Sequence, residues 1–192
     1  GNHSSGGGTT VRPSTVIPEP FTDVQAGDWY YDAVVYAVKN GLMNGTSYSQ
    51  FSPDSTTTRG MIVTILYRHA GQPAVQIGGF TDVAADAYYA DAIAWAAAQG
   101  IAQGYGDGRF GPDDPITREQ LAAMLYRYAG SPEPAETELP FQDSAAVSAY
   151  ARPAVCWATE QGILNGKTGN LLDPQAMATR AQTAQMLQNY LQ

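Results

Sequence analysis

Apolar positions along the chain follow two spacings that alternate, and each is used three times. Ala33, Val34, Ala37 and Val38 recur at i, i+1, i+4 and i+5; Ala92, Ile93, Ala96 and Ala97 repeat the pattern, as do Ala154, Val155 and Ala158. This spacing predicts a helix with a narrow buried face, and Gly41, Gly100 and Gly162 just beyond each run are C-cap signals. The small residues allow close approach to a neighbouring helix. The second spacing is i, i+3, i+4, i+7, an apolar helical stripe. It runs through Ile62, Ile65, Leu66 and His69, then Leu121, Met124, Leu125 and Tyr128, then Thr183, Met186, Leu187 and Tyr190. Between the two helices of each unit lie loops, "NGTSYSQFSPDST", "QGYGDGRFGPDDP" and "NGKTGNLLDPQAM", whose prolines block helix continuation. "GQPAVQIGG" and "GSPEPAETELP" join the units.

The alternation reflects an internal repeat. A shift of 59 places Phe21, Asp23, Trp29, Gly41, Phe51, Thr58 and Arg59 on Phe80, Asp82, Tyr88, Gly100, Phe110, Thr117 and Arg118. A further shift of 62 carries the later members onto Tyr150, Gly162, Leu172, Thr179 and Arg180. Phe141 and Asp143 match at 61, so the third copy has one extra residue before Tyr150. One helix pair buries little by itself, and a period near 60 is too long for the common two-helix solenoids. The expected solution is a closed pseudo-threefold arrangement, with one helix per unit meeting at the axis and three similar grooves between neighbouring units.

Composition adds limits. The 192 residues are 44% apolar, ordinary for a chain that buries a core. No apolar run approaches the roughly 20 residues of a membrane span, so no membrane insertion is expected. The formal charge of −8 argues against nucleic acid, whose phosphates would be repelled. An anionic ligand would have to be met by local charge. Cys156 is alone, which rules out an intramolecular disulfide, and it reads as a buried thiol. Residues 1–20, "GNHSSGGGTTVRPSTVIPEP", read as a flexible linker, and the chain is expected to be part of a longer protein whose remainder lies upstream.

Each second helix starts with Thr-Arg. In "TREQ" and "TRAQ", Thr117 with Gln120 and Thr179 with Gln182 form capping-box patterns. The arginine is not explained by a cap, because a cation near a helix N-terminus is unfavourable by about 0.3–1 kcal/mol. Two readings stand. Each arginine pairs with an upstream carboxylate, Asp54, Asp113 or Asp114, and Asp173. Alternatively, the guanidinium and the free N–H groups of the helix start form a receptor for an external anion.

The repeats "FTDVQAGDWYYDAVVYAVKNGLMNGTSYSQFSPDSTTTRG" and "FTDVAADAYYADAIAWAAAQGIAQGYGDGRFGPDDPITREQ" resemble S-layer homology motifs, with an F-x-D-V start, G-I-x-x-G, F-x-P and an I-T-R-A-E-type helix start. The resemblance covers residues 21–192, as motifs 21–71, 80–130 and 141–192. It implies an all-α domain of three motifs in a pseudo-threefold, three-pronged arrangement around a central three-helix bundle, a monomeric pseudo-trimer. The function it implies is non-covalent anchoring of a surface protein to a bacterial cell wall, hence an extracellular location. The implied partner is a secondary cell-wall polysaccharide, commonly capped by a pyruvate ketal whose carboxylate meets the motif arginine. Carried over, Arg59, Arg118 and Arg180 become carboxylate partners, flanked by Gln120 and Gln182. Trp29 becomes a sugar platform with Tyr88 and Tyr150 as counterparts; a core role for these aromatics is the alternative. Gly104, Gly106 and Gly108 would bring loop amides near the ligand.

Departures from the pattern make unequal grooves the expectation. Copy two is nearest to the family, with Gln120 in place of an acid. Copy one has Met61 there, leaving its capping box incomplete, and Ser49 in place of the loop glycine Gly108. Copy three has "QDS" for the F-x-D-V start and "LLDP" for F-x-P. Other chemistry is weakly supported. His3 and His69 have no nucleophile or ligand set near them in sequence, and "YGDGRFGPDDP" lacks a calcium-loop acid pattern. Asp23, Asp82 and Asp143 read as caps or turns ahead of the first helix. Glu133, Glu136 and Glu138 lie in a joint, a poor scaffold for a glycosidase pair. No enzyme activity, cofactor or metal is therefore expected. A module for protein–protein interaction is the alternative function.

Overall fold

The computed structural model describes residues 21–76 and 78–192. The segment 1–20, with its linker reading, lies outside the described residues. Six α-helices are present among the described residues: α1 Tyr31–Lys39, α2 Arg59–His69, α3 Ala90–Ala98, α4 Arg118–Tyr128, α5 Arg152–Glu160 and α6 Arg180–Leu191. They alternate as a nine-residue first helix and a longer second helix in each copy. No strand forms among the described residues, only isolated bridges, so the domain is all-α.

The local signals explain the helix ends. After α1, Gly41 N–H donates to Val38 O (3.1 Å) and Leu42 N–H to Ala37 O (2.8 Å), a Schellman motif. It needs the left-handed backbone that Gly41 adopts at φ +67°. Leu42 and its counterparts Ile101 and Ile163 are then buried. At the second helices, Thr117 and Thr179 form complete capping boxes with Gln120 and Gln182. Thr58 accepts only the Met61 N–H, because Met61 has nothing to return.

Helices pack across the copies: α2 against α3, α4 against α5, and α6 back against α1. The alanines of the first helices are what lies at these contacts; Ala33, Ala37, Ala92, Ala96, Ala154 and Ala158 are all buried. At the starts of the second helices three peptide groups bond in a ring. Thr57 N–H donates to Ala178 O (3.0 Å), Ala178 N–H to Ile116 O (2.9 Å), and Ile116 N–H to Thr57 O (3.0 Å). At their far ends His69 Nδ1 meets the Tyr128 hydroxyl (2.6 Å), whose ring stands edge-on to Tyr190. His69 is thus satisfied by hydrogen bonding, though exposed rather than buried.

Copy three takes up its extra residue in two 3₁₀ turns, Ser144–Ala146 and Ala149–Ala151, ahead of α5. Glu119 of α4 holds this region. Its buried carboxylate accepts from Ser148 N–H (2.9 Å), the Ser148 hydroxyl and Gln175 Nε2 (2.7 Å). The matching positions in α2 and α6 are Gly60 and Ala181, which have no such reach. Cys156 is buried, and burial pushes its thiol up.

Candidate functional site

The three arginines bridge copies. Arg59 donates from Nε to Phe110 O (3.0 Å) and from Nη2 to Gln103 O (2.7 Å). Arg118 repeats this on Leu172 O (2.9 Å) and Asn165 O (3.0 Å), and Arg180 on Phe51 O (2.8 Å) and Asn44 O. Each second helix therefore fastens the loop of a different copy, in the order one to two, two to three and three to one. Arg59 and Arg180 also lie over the rings of Phe110 and Phe51 at 4.6 Å.

The ion-pair reading of these arginines needs correction, and so does the part of the receptor reading that rests on free helix-start amides. The ion pairs among the described residues are Arg109 with Asp107 and Lys167 with Asp173, and neither includes a motif arginine. The helix-start amides are also occupied. Arg118 N–H donates to Ala176 O (2.9 Å) and Glu119 N–H to Pro174 O (3.0 Å); Arg59 and Gly60 donate to Asp114 O and Pro112 O, and Arg180 and Ala181 to Ser55 O and Pro53 O. With the third amide on its threonine, the helix start is filled by carbonyl oxygens of the neighbouring loop. Carbonyls around it explain why a cation is tolerated there. Burial pushes the Arg118 guanidinium down, while Asp173 and Asp143 nearby oppose that, and arginine stays charged in any case.

Asp23, Asp82 and Asp143 lie in turns, as one of the two readings has it, but do not cap the first helices. Asp82 accepts from the Phe110 (2.9 Å) and Gly111 (2.8 Å) N–H groups. Asp23 does the same for Phe51 and Ser52, and Asp143 for Leu172 and Asp173. Burial would raise the Asp82 and Asp143 carboxyls, but these N–H donors outweigh it and hold both below the usual carboxylate range. A single residue, Phe51, Phe110 or Leu172, is therefore gripped at its N–H by an aspartate of its own copy and at its C=O by an arginine of another.

Three grooves result, each walled by all three copies. The largest, about 710 Å³, has the loop and α6 of copy three as floor, with Arg118 from copy two and Trp29 from copy one. A second, about 470 Å³, combines the loop and α2 of copy one with Arg180 and Tyr88. The third, about 280 Å³, combines α4 with Arg59 and Tyr150. Trp29, Tyr88 and Tyr150 are 63%, 64% and 56% exposed, so the core alternative for these rings is corrected. Gln182 lines the Trp29 groove and Gln120 the Tyr150 groove, while capping their helices. Arg118 and Arg180 are only 4% exposed, yet with half-buried Arg59 they face their grooves. Their Nη1 atoms make no hydrogen bond to protein among the described residues.

The glycines fare differently. A Cβ on Gly104 would lie 2.5 Å from the Phe80 ring, so this glycine is there to let the ring pack on the loop. Gly106 and Gly108, at φ +87° and +91°, shape the turn and do not line the described grooves. Sequence reading overlooked Lys167, Arg68 and Arg127, which do line them. The signal was available for two, since Arg68 and Arg127 occupy one repeat position.

Comparison with known proteins finds relatives that are named as polysaccharide-degrading enzymes and surface-layer proteins. An amylopullulanase of Thermoanaerobacterium thermosulfurigenes is 31% identical over 90% of this chain, which corresponds to 9% of that protein. An endoglucanase of Bacillus sp. (strain KSM-635) is 32% identical over 90% of the chain and 19% of its own length. An S-layer protein of Bacillus thuringiensis subsp. finitimus is 25% identical over 92% of the chain, 22% of its length. The chain thus spans less than a quarter of each of these relatives, and its likeness to the two enzymes is confined to a small part of them. The family model of the S-layer homology domain matches residues 20–60, 79–122 and 140–184. The chain belongs to the S-layer homology domain family, with three tandem motifs, which sets it at the cell-wall-associated outer surface of a bacterium.

Proposed function

We propose that the chain is a non-catalytic module that holds a surface protein on the cell wall by binding an acidic secondary cell-wall polysaccharide in its three grooves, with pyruvate ketals on that polymer supplying the carboxylates. In this reading residues 21–192 work as a monomer of three motifs, 21–71, 80–130 and 141–192, in a pseudo-threefold, three-pronged arrangement about the second helices. The observation that carries it is the construction of the grooves, each joining a guanidinium of one copy to an exposed ring of another. The free Nη1 of Arg59, Arg118 or Arg180 donates a charge-assisted hydrogen bond to the carboxylate. The ring of Trp29, Tyr88 or Tyr150 takes the apolar face of a sugar, and the amides of Gln120 and Gln182 lie within the same walls for its hydroxyls. A net charge of −8 leaves these local cations as the attractive element.

Titration calorimetry of the domain against purified wall polymer, before and after removal of ketal-linked carboxylates, tests this. Binding that disappears with the carboxylates is the expected result. Binding that ignores their removal, or no binding at all, would overturn the reading in favour of a protein partner.

A further inference from the structure

The three grooves share an arginine at the helix start, and among the places where their linings differ is one in the last turn of the second helix. That place is Arg68 in α2, Arg127 in α4 and Asn189 in α6, and each lines its groove. A second exchange accompanies the first. Grooves with Arg68 and Arg127 are faced by Tyr88 and Tyr150, whereas the groove with Asn189 is faced by Trp29.

In copies two and three the local structural duty at this position does not require charge. Arg127 Nη1 donates to Ile101 O at 3.2 Å, and Asn189 Nδ2 donates to the corresponding Ile163 O at the same distance. Asparagine and arginine thus tie down the same carbonyl, and what arginine adds is a cation in the groove. In the Tyr150 groove that cation joins Arg59 with no carboxylate in the lining. Burial and, after it, the Glu119 carboxylate raise the Tyr150 hydroxyl, and both guanidiniums lie close enough to oppose the rise. At Tyr88 burial and Asp113 raise the hydroxyl and Arg68 opposes them. The Trp29 groove is different, because the cation beside Arg118 is Lys167, already held by Asp173 at 2.8 Å.

We propose that Arg68 and Arg127 are specificity-determining residues: with Arg180 and Arg59 they form two-guanidinium receptors for a carboxylate carried on the saccharide. The Trp29 groove, where Arg118 is the single guanidinium, holds the carboxylate less tightly and leans more on the apolar face and hydroxyls of the saccharide, through Trp29, Asn189, Gln182 and Gln185. This inference rests on the wall-polysaccharide reading and divides the labour among its three sites.

The test is an NMR titration with a methyl hexoside bearing a 4,6-linked pyruvate ketal, and with the methyl ester of that ketal as an uncharged control. The Trp29 indole and the Tyr88 and Tyr150 rings report each groove separately. The acid should be preferred over the ester at the two tyrosine grooves and much less so at Trp29. Arg127→Asn keeps the bond to Ile101 and should weaken acid binding at the Tyr150 groove by roughly 10-fold or more, since a charge-assisted hydrogen bond is lost. The ester should be unaffected. Arg68→Asn should do the same at Tyr88, and Asn189→Arg should raise the acid preference at Trp29. Equal acid preference in all three wild-type grooves, or acid binding unchanged in Arg127→Asn and Arg68→Asn, would overturn the inference while leaving the wall-binding reading intact. If neither probe nor the purified polymer moves any reporter, the reading itself falls, and this inference with it.

Discussion

The arginine and aspartate clamp that joins the copies and the groove rim beside it repeat with different fidelity within one chain. The clamp is nearly identical three times over: an aspartate on two loop amides, an arginine on two loop carbonyls, and a large apolar residue between them. Even copy three, which replaces phenylalanine with Leu172, keeps every hydrogen bond of the set. The rim varies, with Trp29, Tyr88 or Tyr150 on one wall and Asn189, Arg68 or Arg127 on the other. Repetition without change marks what holds the copies together, and repetition with change falls on the residues proposed to meet a ligand. Arginine belongs to both sets, because two of its nitrogens are spent on carbonyls and the third faces the groove.

The strongest way to break this comparison is to remove the residue at the centre of a clamp. Phe110→Ala deletes a fully buried ring and is expected to cost about 3–5 kcal/mol in urea unfolding. A cost below about 1 kcal/mol would mean that the clamp is not a structural unit. Next in size, Arg118→Ala strands the Leu172 and Asn165 carbonyls and should cost about 2–3 kcal/mol. Arg59→Ala, at a half-buried site, should cost less, and the two variants should also weaken wall-polymer binding unequally. Equal losses in both measurements would erase the distinction between the grooves.

Trp29→Ala tests the rim. Its ring is exposed, so stability should move by no more than about 0.5 kcal/mol while polymer affinity falls roughly 10-fold. A destabilised variant would move Trp29 into the structural set. Acid sharpens the comparison differently. Asp82 and Asp143 titrate lower in the fold than in the unfolded chain, where a carboxylate has a pKa of about 3.9. Their contribution is complete above that value and is lost as pH falls through the folded pKa. Thermal melts should therefore drop as pH falls below about 4, and the double variant Asp82→Asn, Asp143→Asn should flatten that drop. The smallest effect belongs to the caps: Met61→Gln supplies the return bond missing in copy one and should raise stability by about 0.5 kcal/mol, measurable as a small rise in Tm.

Features whose partners lie within one helical turn could be read from the residues alone. The threonine and glutamine caps, the Schellman glycines, the alternating apolar stripes and the triplication were all legible, because a cap reaches three residues and a stripe repeats every three or four. The family was legible for the same reason, its motifs being short and repeated in place. What the charged side chains do depends on partners far away in the chain. Asp82 finds its partners 28 and 29 residues away and Arg180 its partners 129 and 136 away, distances that no local pattern encodes. Closing the copies on one another brings loop carbonyls onto the helix starts, which turned an expected anion receptor of free amides into a sealed joint. The same closure left one guanidinium nitrogen and one exposed ring in each groove, because both come from copies other than the one that forms its floor.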